Sequence, residues 1–466
     1  MSSARFAGRR VVAGIDSSTQ SVKVVYCDAA SGEVLETRSA PHPDGTAVDP
    51  RAWTMALESI LDLTGVSAVS VAGQQHGLVT VDSNGEPVRD ALLWNDLRSA
   101  PQAVALTAGL GAQTWADRVG SAPLASLTIT KLAWLAQQEP ALADRVDAVL
   151  LPHDWLTWQL RGRPAGDYVT DRSDASGTGY FSSDDDRYQD DLVRLAFGRV
   201  PNLPRVLGPA DAVGSTPAGA VVGPGAGDNA AAALGLGLSD GELAVSLGTS
   251  GAAFASATAV IPTIGLNRFA DATGRLLPLS CTLNAARVLS SSADLLGVDL
   301  PTWEELASTG LLDAGGLILL PYLDGERTPD LPKARGSLHG LTRSTMTPAH
   351  VARAALLGML CGLADAVDVV RDAGVPVESV VLIGGAAASA AVRAAAAEIF
   401  GVPVQVPEPA QYVALGAARQ AAWVVEQSPE PPHWPRPLAH RLEPSGDVWA
   451  DRVRTGYAEA RDALYG

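Results

Sequence analysis

A chain of 466 residues, 47% hydrophobic and 18% charged, outgrows a single hydrophobic core and has the composition of a globular protein of two domains. Its net charge of −17 and pI near 4.8 exclude nucleic acid and anionic membrane as natural partners, since both demand basic patches. Three scattered cysteines in apolar settings, Cys27, Cys281 and Cys361, read as reduced thiols of a cytoplasmic protein. No apolar signal core follows MSSARFAGRR at the start, and the longest uncharged span, Leu243 to Asn267, is too broken by Gly248, Gly251 and Pro262 to cross a membrane.

Val11 to Ile15 predicts an apolar strand running into Asp16-Ser17-Ser18-Thr19-Gln20, and Ser21 to Cys27 predicts the returning strand of a hairpin. Turn chemistry alone accounts for Asp and Ser in an arbitrary hairpin. Here the preceding strand is apolar at nearly every position, so Asp16 projects from the end of a buried sheet. Asp49-Pro50 opens a helix over Trp53 to Leu63, and Ser67 to Gly73 is a second buried strand ending in Gln74-Gln75-His76-Gly77. A histidine capping a strand is one account of His76; the other is that amides and an imidazole at the C-terminal end of a strand mark a ligand site. Trp94-Asn95, at the end of the next apolar run, adds a ring and an amide, a pairing that suits a sugar.

Ser126 to Gln138 reads as a helix, Val149 to Leu160 as a strand end passing into a helix, and Asp171 to Tyr180 as a polar loop. Pro201 to Gly223, rich in Pro, Gly and Ala, is the best candidate linker, dividing a first domain, 1–222, from a second domain, 223–466. Asp228 then stands in a glycine turn with Gly225 and Gly227, directly before an alanine-rich helix, Asn229 to Leu238. Such a position holds an acid rigidly and favours its ionised form. The strand Ala244 to Leu247 ends in Gly248-Thr249-Ser250-Gly251, where small residues let backbone N–H groups close around an anion. An ionised acid and a phosphate cradle suit transfer of a phosphoryl group to a hydroxyl, although plain helix packing would also explain a Gly/Ala segment.

The second half repeats the first. Leu243 to Leu247 and Ala252 to Ala257 form a hairpin like that around Asp16, and Ser379 to Ile383 ends in Gly384-Gly385 much as Ser67 to Ala72 ends in Gly73. Helices follow over His350 to Ala373 and Ser389 to Phe400. Two copies of one unit predict a cleft with the glycine turns facing it. Gly384-Gly385-Ala386-Ala387-Ala388-Ser389 admits a ribose or base at close range, or simply supplies the glycines of a tight turn. Glu326 and Arg327 read as a structural ion pair fixing a loop.

Ser126-x-Thr128-x-x-Lys131-Leu132-x-Trp134-Leu135-x-Gln137-Gln138 resembles the first signature of the FGGY carbohydrate kinases. Gly336-x-Leu338-x-Gly340-Leu341 with His350-Val351-x-x-Ala354-Ala355-Leu356 resembles their second. Within that family, Ala72 to Gly77, Leu93 to Arg98, Ser173 to Thr178 and Gly227 to Ala231 are similar, in the same order, to segments of xylulokinases, and the likeness extends from Val11 to about Trp423.

The resemblance implies the α/β actin-like ATPase fold, with two ribonuclease-H-like domains around a central ATP and sugar cleft. It implies ATP-dependent phosphorylation of D-xylulose, with Asp228 as general base and Asp16 as the second essential acid. Gly248 and Thr249, with Gly384 and Gly385, would line the ATP site, and Ala386 and Ser389 continue that turn. The phosphates would lie against Ser17, Ser18 and Thr19 and the Gly248 to Gly251 turn, with Mg2+ held by Asp16 through water. Gln75 and His76 would touch the sugar, with Trp94 and Asn95 beside them. A homodimer is compatible with the resemblance.

Two positions depart from the pattern: Leu357 replaces the usual acid of the second signature, a change expected to affect packing, and Gln75 stands where Met is common, which bears on the choice of ketose. Another ketose or polyol such as ribulose is the alternative within kinases. A non-kinase actin-like ATPase or a sugar sensor is the alternative outside them.

Overall fold

The computed structural model describes residues 5–6, 8–309 and 311–466. They form two compact units, one of Met1–Gly237, Pro262–Leu277 and Ala410–Pro435, the other of Leu238–Ile261, Pro278–Pro409 and Arg436–Gly466.

In the first unit β1 (Val11–Ser17) is buried along its whole length, as its unbroken apolar run requires of a strand covered on both faces. It pairs antiparallel with β2 (Ser21–Asp28), which pairs antiparallel with β3 (Val34–Pro41); its other edge pairs in parallel with β4 (Val66–Gly73). Helix α1 (Pro50–Ile60) begins at the expected Asp49-Pro50, where the Asp49 carboxylate accepts the Arg51 N–H. It delivers Trp53 and Leu57 to a core shared with Val24, Tyr26 and Trp155. Helices α2 (Thr128–Gln138) and α3 (Pro152–Leu160) fall where the pattern placed them.

Two expectations are corrected in this unit. The polar stretch from Asp171 contains a short helix, α4 (Arg172–Ser176), because the Asp171 carboxylate accepts the N–H groups of both Ser173 and Asp174 and so nucleates a turn. Pro201 to Gly223 is not a linker: it ends in β5 (Val221–Val222), which joins β4 in parallel and is followed by β6 (Ala226–Gly227) on the same strand. Its prolines and glycines mark turns between short strands, and partnership with a strand over a hundred residues earlier leaves no local signal. The expected boundary at residue 222 thus falls within the first unit, which also contains α5 (Asp228–Leu236).

The second unit repeats the arrangement. Strand β7 (Glu242–Leu247) pairs antiparallel with β8 (Gly251–Ala255), β8 pairs antiparallel with β9 (Leu276–Thr282), and β7 pairs in parallel with β10 (Ser379–Ile383). Helix α6 (Leu300–Thr309) precedes the long α7 (Pro348–Asp372), which starts at Pro348 with the Thr347 side chain accepting the His350 N–H. Leu357, the departure from the second signature, is buried in α7 as an ordinary core residue. Helix α8 (Ala390–Phe400) is capped by Ser389, and β11 (Val404–Pro407) and β12 (Leu438–Leu442) extend the sheet beyond β10. Helix α9 (Tyr412–Glu426) belongs to the first unit, and α10 (Trp449–Tyr465) to the second. A hairpin on one edge of a buried strand and a parallel strand on the other, present twice, is the ribonuclease-H-like pattern. No helix among the described residues is long and apolar enough to cross a membrane.

Candidate active site

The two acids singled out in the sequence meet in the first unit. Asp16, 3% exposed, ends β1; its carboxylate accepts the Ser18 hydroxyl at 2.5 Å and lies 3.9 Å from Lys23 Nζ. Burial raises its carboxyl, and the Ser18 hydroxyl and Lys23 oppose that rise. Asp228 starts α5, and its Oδ1 accepts the Asn229 backbone N–H at 2.8 Å and the Asn229 side-chain amide at 3.0 Å. The helix N-terminus was expected to keep this acid readily ionised. Protein crowding around the carboxyl dominates instead, although the residue retains some surface, and with the neighbouring Asp16 charge it pushes Asp228 up to about 7.

The turn carrying Asp228 admits only glycine. Gly225 has φ +90°, and a Cβ there would fall 2.2 Å from His153 Cδ2 and 2.8 Å from the Val71 carbonyl. A Cβ at Gly227 would fall 2.4 Å from Gln75 Nε2. The Gly227 N–H donates to Ser173 Oγ at 3.0 Å. Gln75 is buried, and its amide bridges protein groups: Nε2 donates to the Ser173 carbonyl and Oε1 accepts from Asn229 Nδ2, each at 3.3 Å. Position 75 therefore supports Asn229, beside Asp228, in addition to any contact with substrate.

His76 takes a left-handed backbone, φ +68°, which is rare outside glycine and frequent where side chains are aimed at a site. Its Nδ1 lies 2.7 Å from the Gly177 carbonyl, which only accepts, so Nδ1 carries a proton. Its ring packs 5.4 Å from that of Phe269. Trp94 is 40% exposed, and its Nε1 donates to Thr19 Oγ1 at 2.9 Å, joining the strand-end segment to the hydroxyl turn. Asn95 Oδ1, Ser17 Oγ and Gln74 Nε2 are buried without hydrogen-bond partners. Such groups are costly unless a ligand or water satisfies them.

Beneath this surface lies a cluster that sequence reading missed. His153 is fully buried, with Nδ1 2.8 Å from Asp174 and 3.1 Å from Asp154, and Nε2 3.5 Å from Asp171. Burial alone would lower its pKa, but Asp154, Asp174 and Asp171 outweigh it and hold the imidazole up to about 10. The only hint was an acid beside a histidine at the head of α3, with two further acids spaced three apart at α4. Lys131 of the first signature is also buried; its Nζ donates to the carbonyls of Ala125, at 3.1 Å, and Ser126, so it ties down the loop entering α2.

The remaining expected residues lie in the second unit. Gly248 to Ser250 form an open turn with Thr249 and Ser250 exposed, and Gly251 has no room for a Cβ, which would meet Leu363 Cδ2 and Thr282 Oγ1 at 2.5 Å. Gly384 has φ +96°, with a Cβ position 2.6 Å from the Leu247 carbonyl, whereas Gly385 faces open space. Ser389 Oγ accepts the Val392 N–H at 3.2 Å and donates to Glu304 at 3.1 Å, and Glu304 also accepts the N–H groups of Ala390 and Ala391. A carboxylate thus already occupies the N-terminus of α8, so the Gly384 to Ala388 turn suits an uncharged group better than a phosphate. Glu326 does fix a loop, but not as an ion pair: its carboxylate accepts the Leu283 and Arg327 N–H groups and the Asn284 amide.

Asp16, Ser17, Ser18, Thr19, Gln75, His76, Trp94, Asn95 and Asp228 thus share the first unit, and Gly248, Thr249, Gly384, Gly385, Ala386 and Ser389 share the second. Among the described residues no group of three His, Cys, Asp or Glu side chains forms a metal cage. One buried carboxylate, Asp16, beside a second, fits an ion such as Mg2+ that keeps most of its waters and relies on phosphate oxygens.

Residues 11–237 match the N-terminal domain of the FGGY family of carbohydrate kinases, and residues 243–425 match its C-terminal domain. The xylulose kinase of Streptomyces coelicolor is 46% identical over 433 residues, covering 88% of this chain and 87% of that protein. That of Streptomyces rubiginosus is 45% identical with the same coverage. The crystal structure of xylulose kinase from Bifidobacterium adolescentis superposes with a TM-score of 0.91 at 40% identity, covering 97% of this chain and 99% of that one.

Proposed function

Because the chain belongs to the FGGY family of carbohydrate kinases, we propose that it transfers the terminal phosphoryl group of ATP to the terminal hydroxyl of D-xylulose, giving ADP and D-xylulose 5-phosphate. The observation that carries the mechanism is the Asp16–Asp228 pair at the ends of β1 and β6, with Asp228 raised to about 7. The choice of sugar is supported by the relatives described as xylulose kinases.

In this reading the ketose hydroxyl oxygen bonds to the γ-phosphorus, the bond to the β-phosphate oxygen breaks, and the hydroxyl proton passes to the Asp228 carboxylate. A base whose pKa lies near 7 is matched to that task. In a loose transition state the proton leaves late, so positioning matters more than basicity. Asn95, His76 and the ring of Trp94 orient the sugar. Ser17, Ser18, Thr19 and the Gly248-Thr249 turn receive phosphate oxygens, and Gly384, Gly385, Ala386 and Ser389 receive the nucleoside. Mg2+, when bound, neutralises charge on the phosphate oxygens, and Asp16 is the residue that would hold it.

The test is coupled ADP release with D-xylulose, ribulose, L-xylulose, glycerol and no sugar, for the wild type and Asp228→Ala. Strong preference for D-xylulose, lost in the variant, supports both substrate and base. Preference for another ketose keeps the chemistry and moves the sugar, with Gln75 the first position to examine. Release indifferent to sugar and to Asp228 overturns the kinase mechanism. A cytoplasmic, homodimeric enzyme completes the proposal; the buried thiols of Cys27 and Cys361, each pushed up to about 12 by burial, suit a reducing compartment, and sedimentation equilibrium tests the dimer.

A further inference from the structure

Helix α9 touches the two elements that carry the acids of the first unit. It packs on β1 and α5 with almost no space between backbones: a Cβ at Gly14 would fall 2.0 Å from the Ala414 carbonyl, one at Gly416 would fall 1.8 Å from the Ala231 carbonyl, and one at Gly235 would fall 2.0 Å from the Tyr412 carbonyl. The strand carrying Asp16 and the helix carrying Asp228 are thus seated on one face of small residues. That face also carries Gln420, a long polar side chain that is 1% exposed.

The Gln420 amide forms a two-point pair with the backbone of Gly225. Nε2 donates to the Gly225 carbonyl at 2.8 Å, and Oε1 accepts the Gly225 N–H at 3.1 Å, across a separation of 195 residues. Because the Gly225 N–H only donates and its carbonyl only accepts, the pair fixes the orientation of the amide, and Oε1 also accepts the Ser70 hydroxyl at 2.5 Å. Gly225 occupies the left-handed turn three residues before Asp228, and His153 closes its other side. The peptide groups of Gly225 would otherwise be buried donors and acceptors without partners, and a turn that must satisfy them elsewhere moves the residues that follow it.

We propose that Gln420 is a positioning residue for Asp228: by clamping both backbone groups of Gly225 it sets the register of the turn that aims the Asp228 carboxylate. The proposal rests on the reading of Asp228 as the base. It assigns a role in turnover to a helix more than 180 positions downstream of that acid.

Gln420→Met keeps the volume and removes both hydrogen bonds to Gly225; Gln420→Glu keeps the acceptor and removes the donor. Ser70→Ala removes only the outer partner of the amide. The expected result is a fall in kcat of about 10- to 100-fold for Gln420→Met and a smaller fall for Gln420→Glu, with KM for ketose and ATP changed by less than about threefold, as misplacement of a base predicts. Ser70→Ala should stay within about threefold of wild type, since the clamp survives. In an Asp228→Asn background Gln420→Met should cost little further, because two changes acting through one group are not additive. Equal losses in both backgrounds, or a lowered Tm with wild-type kcat, overturn the proposal. If Gln420→Met does not fold, a wild-type kcat for Gln420→Glu overturns it alone. Full turnover in Asp228→Asn by itself would instead sink the reading of Asp228 as base.

Discussion

Strands β1 and β7 hold equivalent places in the two units, each with an antiparallel hairpin on one edge and a parallel strand on the other, yet they end in different chemistry. After β1 the turn presents polar side chains bonded to one another: buried Asp16 against half-buried Ser18, and half-buried Thr19 against the exposed Trp94. After β7 the turn presents backbone and small exposed residues, Gly248 to Ser250. The same contrast holds for the parallel neighbours, since β4 leads into Gln75 and His76 whereas β10 leads into Gly384 and Gly385. A site made of side chains discriminates and does proton chemistry; one made of backbone amides grips anions and flat rings whatever side chains surround it. Substitutions in the first unit should therefore act on turnover, and those in the second on nucleotide affinity.

The largest effect expected is that of Asp228→Asn, which should lower kcat by roughly 10²- to 10⁴-fold in steady-state assays. The same change should raise Tm at pH 8. A carboxyl that ionises near 7 when folded and near 3.8 when unfolded binds more protons in the folded state, so the wild type loses stability as pH rises through that interval, and Asn removes the loss. In the wild type kcat/KM should fall as pH drops below about 7, because Asp228, the proposed base, is then protonated.

His153→Leu breaks a buried ion cluster and leaves three carboxylates around a neutral side chain; a loss of about 3–5 kcal/mol is expected in urea unfolding. Gly384→Ala tests the other unit: its left-handed backbone and the nearby Leu247 carbonyl put the strain at about 1–3 kcal/mol, read as a raised KM for ATP with the ketose KM unchanged. A change in ketose KM instead would erase the contrast between the units. The smallest effect is that of Glu304→Ala, which removes the acceptor of the Ala390 and Ala391 N–H groups but leaves the Ser389 cap, and should cost about 1 kcal/mol of stability in thermal unfolding.

Local features were readable from the residues alone. Asp49 and Ser389 announced helix starts because a cap bonds to N–H groups two or three residues on, and β1, β4, β7 and β10 announced themselves as apolar runs between turns. Asp16, Asp228, His76 and the glycine turns could be singled out because their chemistry is written in adjacent residues. Pro201 to Gly223 misled because composition describes flexibility and not partnership. Gln420 and His153 were passed over because a polar residue within an apolar helix carries no mark of what it will meet.

The sequence by itself determined the main strands and helices and which acids stand at turns, since these depend on neighbours within a few residues. Only the tertiary structure decided that β5 and β6 extend β4, that His153 sits among three carboxylates and that Gln420 clamps Gly225, because these depend on distances between segments with no common periodicity. It likewise decided the acidity of Asp228: the helix start favoured the ionised form, and burial beside Asp16 overcame it.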